Sequence, residues 1–352
     1  MTEMTDESYT WREITSQPQV WRATLDAFKL DQERLQSFVD QTGFDQILVV
    51  GCGSTHYLAQ TAAAMITHST GISARACPSS ELWLFPDTVF NERTLLVAVS
   101  RSGTTTETLR ALERFQELGG APTLAVTCYP ESQLAQRADF VLAAPDAQER
   151  SIAQTRSFTS MLLLTLAFAA TLAHDAEMLE RLHRLPDALH DLVDRLGDLP
   201  RRLGADLNIE RMFFLGGGLL YGLANEAMLK AKEMSLSYSE AYHPLEFRHG
   251  PMSMVNGRTL VVGLVSDTGL AEELYVLKDM EELGARTLVL VEDGSAFSGW
   301  QTDRVIELRS GLDEWQRGPL YLPALQRLAY HRAVAKGLDP DRPHNLTAVV
   351  EL

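Results

Sequence analysis

Short apolar runs that end in glycine or serine, each followed by a helical stretch, recur along this chain. The first extends from Ile47 to Ser54 and precedes a helical pattern at Tyr57 to Thr67. The same event returns at Thr94 to Ser100, at Pro122 to Cys128 and, in the second half, at Met212 to Gly218. Strands that alternate with helices form parallel sheets with helices on both faces. The sequence therefore predicts an α/β protein with two similar halves.

Composition and charge restrict the class of protein further. The 352 residues are 45% hydrophobic and 22% charged, which is enough for two domains with separate cores. A formal net charge of −16 argues against nucleic acid as a partner. Three scattered cysteines predict neither a disulfide framework nor a zinc site, and the longest apolar stretch, Met161 to Ala173, is too short to cross a bilayer. We therefore expect a soluble cytoplasmic protein with no membrane segment.

A hydroxyl-rich turn follows the apolar run that ends at Val99. Six of the nine residues from Ser100 to Thr108 are serine or threonine. Their hydroxyls and the free N–H groups at a helix N-terminus can bind a phosphate, and Gly103 lets the backbone approach it. The turn has no lysine, so it is not a Walker A loop. The alternative is simple helix capping, a capping box with Ser102 or Thr104 as the N-cap and Glu107 three residues after Thr104. The turn alone supports both interpretations equally.

Two carboxylates and a lysine fall on one face of the predicted helix from Leu219 to Leu236. Glu226, Lys230 and Glu233 stand at positions i, i+4 and i+7. A partly desolvated carboxylate beside a lysine can move a proton at neutral pH, as enolisation next to a carbonyl requires. The alternative is an exposed helix ion pair worth about 0.2–0.5 kcal/mol, which the helix alone favours. His249, in a nearby turn, supplies an imidazole and makes a catalytic interpretation reasonable.

Five motifs occur in order along the chain from about residue 44. They are Gly51 to Thr55, Ser100 to Thr108, Glu149 to Phe158, Asn225 to Glu233 and Glu240 to Pro251. Together they resemble the double SIS-domain (sugar isomerase) proteins, including the isomerase domain of glucosamine-6-phosphate synthase and stand-alone SIS deaminases. The resemblance implies two flavodoxin-like SIS subdomains, each a parallel sheet flanked by helices. It also implies a homodimer with shared active sites.

The resemblance divides the chain into five predicted segments. They are an N-terminal helical arm at 1–43, a first SIS domain at 44–180, a linker helix at 181–205, a second SIS domain at 206–340 and a C-terminal tail at 341–352. The tail resembles that of the synthase, but Ala348 aligns best with the Schiff-base lysine and no lysine follows Lys336. We therefore expect no covalent capture of an open-chain ketose by this tail.

The resemblance also implies roles for individual residues. Glu233 matches the glutamate that moves a proton between C1 and C2 of the sugar, and Lys230 matches the lysine beside it. His249 matches the histidine that opens the sugar ring and reaches the site from the partner subunit. The implied substrate- and phosphate-binding residues are Ser54, Thr55, Ser100, Arg101, Ser102, Thr105, Ile152 and Gln154. The synthase has glutamine in place of Arg101 and serine in place of Gln154. No metal or organic cofactor is implied, because the substrate's own nitrogen forms the imine.

These expectations point to an enzyme that acts on an amino sugar phosphate. The sequence has no counterpart of the synthase's glutaminase domain, so we expect no glutamine hydrolysis. The leading hypothesis is conversion of glucosamine 6-phosphate to fructose 6-phosphate and ammonia. The alternatives are a galactosamine-6-phosphate deaminase/isomerase, a fructosamine-6-phosphate deglycase and a non-catalytic phosphosugar sensor. The sugar epimer and the substituent on nitrogen stay open.

Overall fold

The structure is a computed structural model that describes residues 8–297 and 304–347, and these divide into two compact units. The first unit consists of Ser16–Glu149, Arg156–Pro186 and Thr347. The second unit is discontinuous in sequence and consists of residues 8–15, Arg150–Thr155, 187–297 and 304–346. Helix α1 (Tyr9–Thr15) therefore belongs to the second unit, although it begins the chain.

The first unit is built on five strands. They are β1 (Gln46–Gly51), β2 (Ser73–Pro78), β3 (Thr94–Val99), β4 (Thr123–Thr127) and β5 (Phe140–Ala143). All neighbouring pairs are parallel, and the order is β2-β1-β3-β4-β5. Every residue of β3 and β4 is buried, which explains why these central strands are continuous apolar runs in the sequence.

Seven helices surround this sheet within the described part of the first unit. They are α2 (Gln17–Gln41), α3 (Ser54–Thr70), α4 (Ser79–Leu84), α5 (Thr106–Glu117), α6 (Gln133–Arg137), α7 (Arg156–Leu172) and α8 (Ala176–Leu182). Helix α7 is buried from Ser157 to Leu172, so every side of it is covered by the unit, and most of its residues are apolar. Helix α2 packs against it, and Trp21 Nε1 donates a hydrogen bond to Thr159 Oγ1 at 2.8 Å.

The second unit repeats the topology of the first. Its strands are β6 (Arg211–Gly216), β7 (Tyr238–Tyr242), β8 (Thr259–Leu264), β9 (Arg286–Val291) and β10 (Val305–Glu307). They are parallel, in the order β7-β6-β8-β9-β10, which is the strand order of the first sheet. The predicted fold class, two parallel sheets flanked by helices in two similar halves, is confirmed.

Apart from α1, the helices described in the second unit lie after the first sheet in sequence. They are α9 (Leu185–Arg195), α10 (Leu199–Ala205), α11 (Leu220–Ser235), α12 (Pro244–Phe247), α13 (Leu270–Glu282) and α14 (Leu322–Ala335). Helix α14 packs against α10 and α11, and also against α1, where the rings of Trp11 and Tyr330 are 5.0 Å apart. No helix of the described residues is both long and apolar enough to span a membrane.

The compact units do not follow the predicted segment boundaries everywhere. The predicted arm at 1–43 is divided, because α1 lies in the second unit and α2 in the first. Most of the predicted linker at 181–205 is part of the second unit, which includes residues 187–205. Ala348, the position aligned with the synthase lysine, lies outside the described residues.

Candidate functional site

The hydroxyl-rich turn after β3 is folded by bonds among its own groups. Ser100 Oγ accepts a hydrogen bond from Gly103 N at 3.1 Å and lies 3.3 Å from Thr105 Oγ1. Ser102 Oγ accepts from Thr104 N at 3.2 Å and from Thr104 Oγ1 at 3.0 Å. The turn is therefore a compact loop of hydroxyl and N–H groups that leads directly into α5.

The structure distinguishes between the two interpretations of this turn. The N-cap of α5 is Thr105, and its side chain makes no capping hydrogen bond. Glu107 Oε2 is buried and has no hydrogen-bond partner among the described residues, so Glu107 makes no reciprocal bond through this atom. The predicted capping box at Thr104 and Glu107 is therefore wrong. The N-terminus of α5, whose partial positive charge favours an anion, follows directly after these hydroxyl groups.

Gly103 is required by the packing of the turn. Its φ of +63° is a conformation that other residues rarely adopt, and a Cβ there would lie 2.0 Å from Ser132 Oγ. The Gly103 carbonyl also accepts a hydrogen bond from Leu134 N at 3.0 Å. Close packing against the 132–134 segment thus holds the turn in place.

A second turn of the first unit, after β1, lies beside the hydroxyl-rich one. Cys52 Sγ is 3.6 Å from Thr108 Oγ1 on α5, and β1 pairs with β3 in the sheet. The strand order changes direction between β1 and β3, and parallel sheets bind ligands in the crevice at such a point. Ser54 and Thr55 are buried here. The Thr55 hydroxyl accepts from Cys52 N at 2.9 Å and donates to Cys52 O at 3.0 Å, so it stabilises its own turn.

Arg101 points to a buried carboxylate. Its Nη1 lies 3.4 Å from Glu149 Oε2, and the two side chains are 9% and 0% exposed. Glu149 also accepts a hydrogen bond from Ser157 N at 3.2 Å and another from the Ser157 hydroxyl. The charge of Arg101 is therefore balanced inside the unit. A phosphate bound at this turn would be held mainly by hydroxyl and backbone N–H groups.

The acidic face of α11 is buried. Lys230 Nζ lies 3.3 Å from Glu226 Oε1 and is in close contact with Glu233 Oε2. The side chains of Glu226, Lys230 and Glu233 are 0%, 1% and 19% exposed. The interpretation as an exposed helix pair is therefore wrong. Glu233 is the member of the group that solvent, and hence a ligand, can reach.

The environment of Lys230 keeps it protonated. Burial by itself lowers the pKa of the ammonium, but the charges of Glu226 and Glu233 together outweigh burial, so the pKa is raised above its ordinary value. Lys230 is therefore a fixed cation at neutral pH. It can stabilise negative charge but is not a general base.

His249 lies in the turn that follows α12. Its side chain is exposed, and its backbone N donates to Glu246 O at 2.9 Å. Gly250 follows with a φ of +131°, and Pro251 begins a short 3-10 turn that ends at Met254. The imidazole is therefore accessible from solvent.

Ile152 and Gln154 lie on the segment Arg150–Thr155, which belongs to the same compact unit as α11. Ala153 packs in one cluster with Met234, the neighbour of Glu233 on α11. Gln154 Oε1 is buried and has no hydrogen-bond partner among the described residues. The segment thus brings a free amide oxygen into the unit that carries Glu233, Lys230 and His249.

The second unit has its own version of the hydroxyl-rich turn, which was not predicted from the sequence. It follows β8 and extends from Ser266 to Gly269, and a carboxylate fills it. Glu314 Oε2 accepts hydrogen bonds from Asp267 N at 2.7 Å and Thr268 N at 3.1 Å, and Glu314 Oε1 accepts one from the Thr268 hydroxyl. Arg317 binds the Asp267 carboxylate with two bonds of 2.8 and 2.6 Å.

One signal in the sequence could have indicated the turn after β8. The residues Val-Ser-Asp-Thr-Gly at 265–269 repeat the pattern Val-Ser-Arg-Ser-Gly at 99–103. Glu149 begins one of the five motifs, but the motif does not show that it pairs with Arg101. In residues 8–297 and 304–347, no group of three or more His, Cys, Asp or Glu side chains is placed to hold a metal ion.

Comparison with known proteins agrees with this architecture. The SIS domain family matches residues 43–171 and 207–331. The glutamine–fructose-6-phosphate aminotransferase (isomerizing) of Legionella pneumophila (strain Lens) is 31% identical over 310 residues, which are 86% of this chain and 50% of that protein. The corresponding protein of Pseudomonas putida is 32% identical over 356 residues, which are 96% of this chain and 58% of that protein. This chain spans little more than half the length of these curated relatives.

Solved structures match the chain over nearly its whole length. The glucosamine-6-phosphate deaminase of Thermotoga maritima is 30% identical, with a TM-score of 0.82, covering 98% of this chain and 100% of that one. The tagatose-6-phosphate ketose/aldose isomerase of Escherichia coli has a TM-score of 0.88 at 24% identity, covering 98% of this chain and 97% of that one, which shows the fold alone. On the family match and these relatives, the chain belongs to the SIS domain family.

Proposed function

We propose that this protein converts glucosamine 6-phosphate and water to fructose 6-phosphate and ammonia. The observation that carries the proposal is the arrangement on α11, where a buried, protonated Lys230 holds one oxygen of the partly exposed Glu233. This is a proton-transfer group beside a fixed positive charge, which an aldose–ketose isomerisation requires. The similarity to the Thermotoga maritima deaminase over that chain's full length supports the same reaction.

The reaction begins with opening of the sugar ring. A proton must leave the C1 hydroxyl and another must reach the ring oxygen, and an imidazole can carry out both transfers near neutral pH. We assign this step to His249, whose side chain is exposed. In this proposal the imidazole comes from a second copy of the chain, as the family resemblance implies.

Glu233 then moves the proton that changes the aldose into a ketose. It removes the proton from C2, the C2–H electrons form a C1=C2 double bond, and the aldehyde oxygen takes a proton. Return of a proton to C1 draws the nitrogen electrons into a C2=N bond. Water adds to this imine and ammonia leaves, which gives the C2 ketone. Lys230 does not touch the sugar, since it is 1% exposed; its positive charge holds the Glu233 carboxylate that moves the proton.

The hydroxyl-rich turn after β3 is proposed to hold the phosphate, with Ser100, Ser102 and Thr105 as its hydroxyl groups. Glu314 supports this assignment, because a carboxylate already occupies the matching turn of the second unit and is bound by two backbone N–H groups and a hydroxyl. A turn of this design binds an oxyanion. The turn after β3 has the same position in its sheet.

The test is release of ammonia and fructose 6-phosphate from glucosamine 6-phosphate by the purified protein. Galactosamine 6-phosphate and a fructosamine 6-phosphate are measured in parallel. Glu233→Gln is expected to bind glucosamine 6-phosphate but to lose turnover by at least about 100-fold, the usual contribution of a general acid–base group. The matched control is Glu282→Gln, an exposed glutamate on α13, which is expected to keep full activity.

Each outcome decides between the candidate functions. Equal amounts of ammonia and fructose 6-phosphate from glucosamine 6-phosphate support the proposal. Turnover of galactosamine 6-phosphate or the fructosamine alone replaces it with the corresponding alternative enzyme. Binding without turnover of any of the three supports a sensor. An active Glu233→Gln variant would remove Glu233 from its assigned role.

A further inference from the structure

A buried carboxylate of the N-terminal helix holds the segment Arg150–Thr155. Glu13 on α1 is only 3% exposed. Its Oε1 accepts a hydrogen bond from Arg150 N at 2.6 Å, and both of its oxygens lie 3.4 Å from Ser151 N. The Ser151 hydroxyl donates a third, close bond to Oε2. Glu13 therefore fixes two consecutive residues of the segment by their backbone.

Asp341 ties the helix that carries Glu13 to the same segment. Its carboxylate accepts hydrogen bonds from Tyr9 N at 2.9 Å and Thr10 N at 2.8 Å, at the N-terminus of α1. Its backbone carbonyl accepts a bond from Ile152 N at 3.3 Å. The helix that holds Arg150 and Ser151 and the residue that holds Ile152 are thus part of one hydrogen-bonded network in the second unit.

The rest of the segment is held by α11 and α14. Ala153 packs with Met234 of α11 and with Ala329 and Ala333 of α14. Gln326 Nε2 donates to Thr155 O at 3.2 Å. These contacts fix both sides of Gln154, whose buried Oε1 has no partner among the described residues. An orphaned buried acceptor costs free energy unless a ligand supplies a donor.

We propose that Glu13 is a positioning residue for substrate binding. Its carboxylate sets the backbone of Arg150–Thr155, so that Ile152 and Gln154 meet the hydroxyl or amino groups of the sugar. This inference rests on the proposed function, because it assumes that the ligand is a sugar phosphate. It predicts that Glu13 affects recognition of the sugar and leaves recognition of the phosphate unchanged, since the proposed phosphate-binding hydroxyl groups of Ser100, Ser102 and Thr105 lie outside the segment that Glu13 holds.

The experiment measures binding of two probes, glucosamine 6-phosphate and inorganic phosphate, by calorimetry on the full chain. Glu13→Ala is expected to weaken binding of the sugar phosphate at least about tenfold and to change phosphate binding less than about twofold. Glu13→Gln is expected to restore sugar phosphate binding to within about threefold of wild type. The amide keeps one acceptor, and its NH₂ can donate to the Ser151 hydroxyl, which can then donate to Ala153 O, 3.0 Å away.

Glu282→Ala serves as the matched control, because it removes an exposed carboxylate from the same unit. If Glu13→Ala does not fold, Ser151→Ala replaces it, since this variant removes one hydroxyl donor and keeps both backbone partners of Glu13. It is expected to weaken sugar phosphate binding about threefold and to leave phosphate binding unchanged.

Equal loss of both probes in these variants, or no loss of either, would overturn the role of Glu13. In that case wild-type protein still binds the sugar phosphate, and the proposed function stands. A different result would contradict both proposals. If wild-type protein binds glucosamine 6-phosphate and the related sugar phosphates no more tightly than inorganic phosphate, both the proposed function and the role of Glu13 are wrong.

Discussion

Replacing Lys230 with methionine tests whether the charge group on α11 is as dry as the structure indicates. The variant leaves Glu226, with 0% of its side chain exposed, without the ammonium 3.3 Å away. At an effective dielectric constant of about 20, two unit charges at that distance attract each other by about 5 kcal/mol. Breaking a buried pair by removing one partner typically costs about 3–5 kcal/mol.

Protonation of the Glu226 carboxyl group sets an upper limit to this cost. A glutamate with an ordinary pKa of about 4.3 can be protonated at pH 7.5 for about 4 kcal/mol, and at pH 5 for about 1 kcal/mol. In the variant, burial disfavours the charged form of Glu226 once the Lys230 ammonium is removed, so stability is retained at low pH, where the carboxyl group is protonated, and lost as pH rises. We expect Lys230→Met to lower the free energy of unfolding by about 4 kcal/mol at pH 7.5 and by only about 1 kcal/mol at pH 5.

The measurement is urea unfolding of both proteins at the two pH values, followed by circular dichroism. The double variant Lys230→Met with Glu226→Leu removes the buried charge as well and is expected to recover to within about 1–2 kcal/mol of wild type. Wild type should keep the contribution of Lys230 at both pH values, because a raised lysine pKa means that this stability is lost only above the ordinary value of 10.5. A loss below about 1 kcal/mol at pH 7.5, or no recovery in the double variant, would refute the buried-pair argument.

Two further predictions concern the turns of the two sheets. In urea unfolding, Gly103→Ala is expected to destabilise the first unit by at least about 1 kcal/mol more than the control Gly71→Ala. Both glycines have a positive φ, but of the two only Gly103 faces a close neighbour, Ser132 Oγ. Equal losses of stability in the two variants would contradict the packing argument. Burial raises the pKa of Glu273 to about 7, against two hydrogen bonds from Ser266 that lower it, so wild type loses stability as pH rises from about 4.3 to 7. The glutamine of the Glu273→Gln variant does not titrate. The free energy of unfolding of this variant, relative to wild type, should therefore rise by about 2–3 kcal/mol between pH 5 and pH 8. A difference that stays constant with pH would contradict the raised pKa of Glu273.

The sequence predicted the sheets where burial makes the strands uniform. Every residue of β3 and β8 is buried, so both are unbroken apolar runs that end at a polar turn. Strands β1 and β6 end at Gly51 and Gly216, where the next helix passes close to the strand. A Cβ would lie 2.5 Å from the helix backbone at Gly51 and 2.4 Å from it at Gly216. The edge strands β2 and β7 were missed, since several of their side chains are exposed and neither has an apolar run.

The contacts of the candidate-site residues could not be predicted from the sequence. Spacing on α11 places Glu226, Lys230 and Glu233 on one face, yet spacing cannot show which way that face points. Burial of this face decided between the two interpretations. Likewise, nothing local to Arg101 indicates Glu149 as its partner, because the two residues are 48 positions apart. Membership of Arg150–Thr155 in the second unit depends on contacts with the two ends of the chain, which no local pattern records.

The charges of the two matching turns explain why we assign only one of them to the substrate phosphate. In the matching patterns at 99–103 and 265–269, the third residue is Arg101 in the first turn and Asp267 in the second. The positive charge of Arg101 in the first turn is already balanced by the buried carboxylate of Glu149. In the second turn, Glu314 occupies the N–H groups of Asp267 and Thr268, and Arg317 is already bound to Asp267. A phosphate there would have to displace one carboxylate and approach another, at a loss of three hydrogen bonds and with repulsion from Asp267. Of these two turns, the one after β3 is therefore the one that we propose for the phosphate.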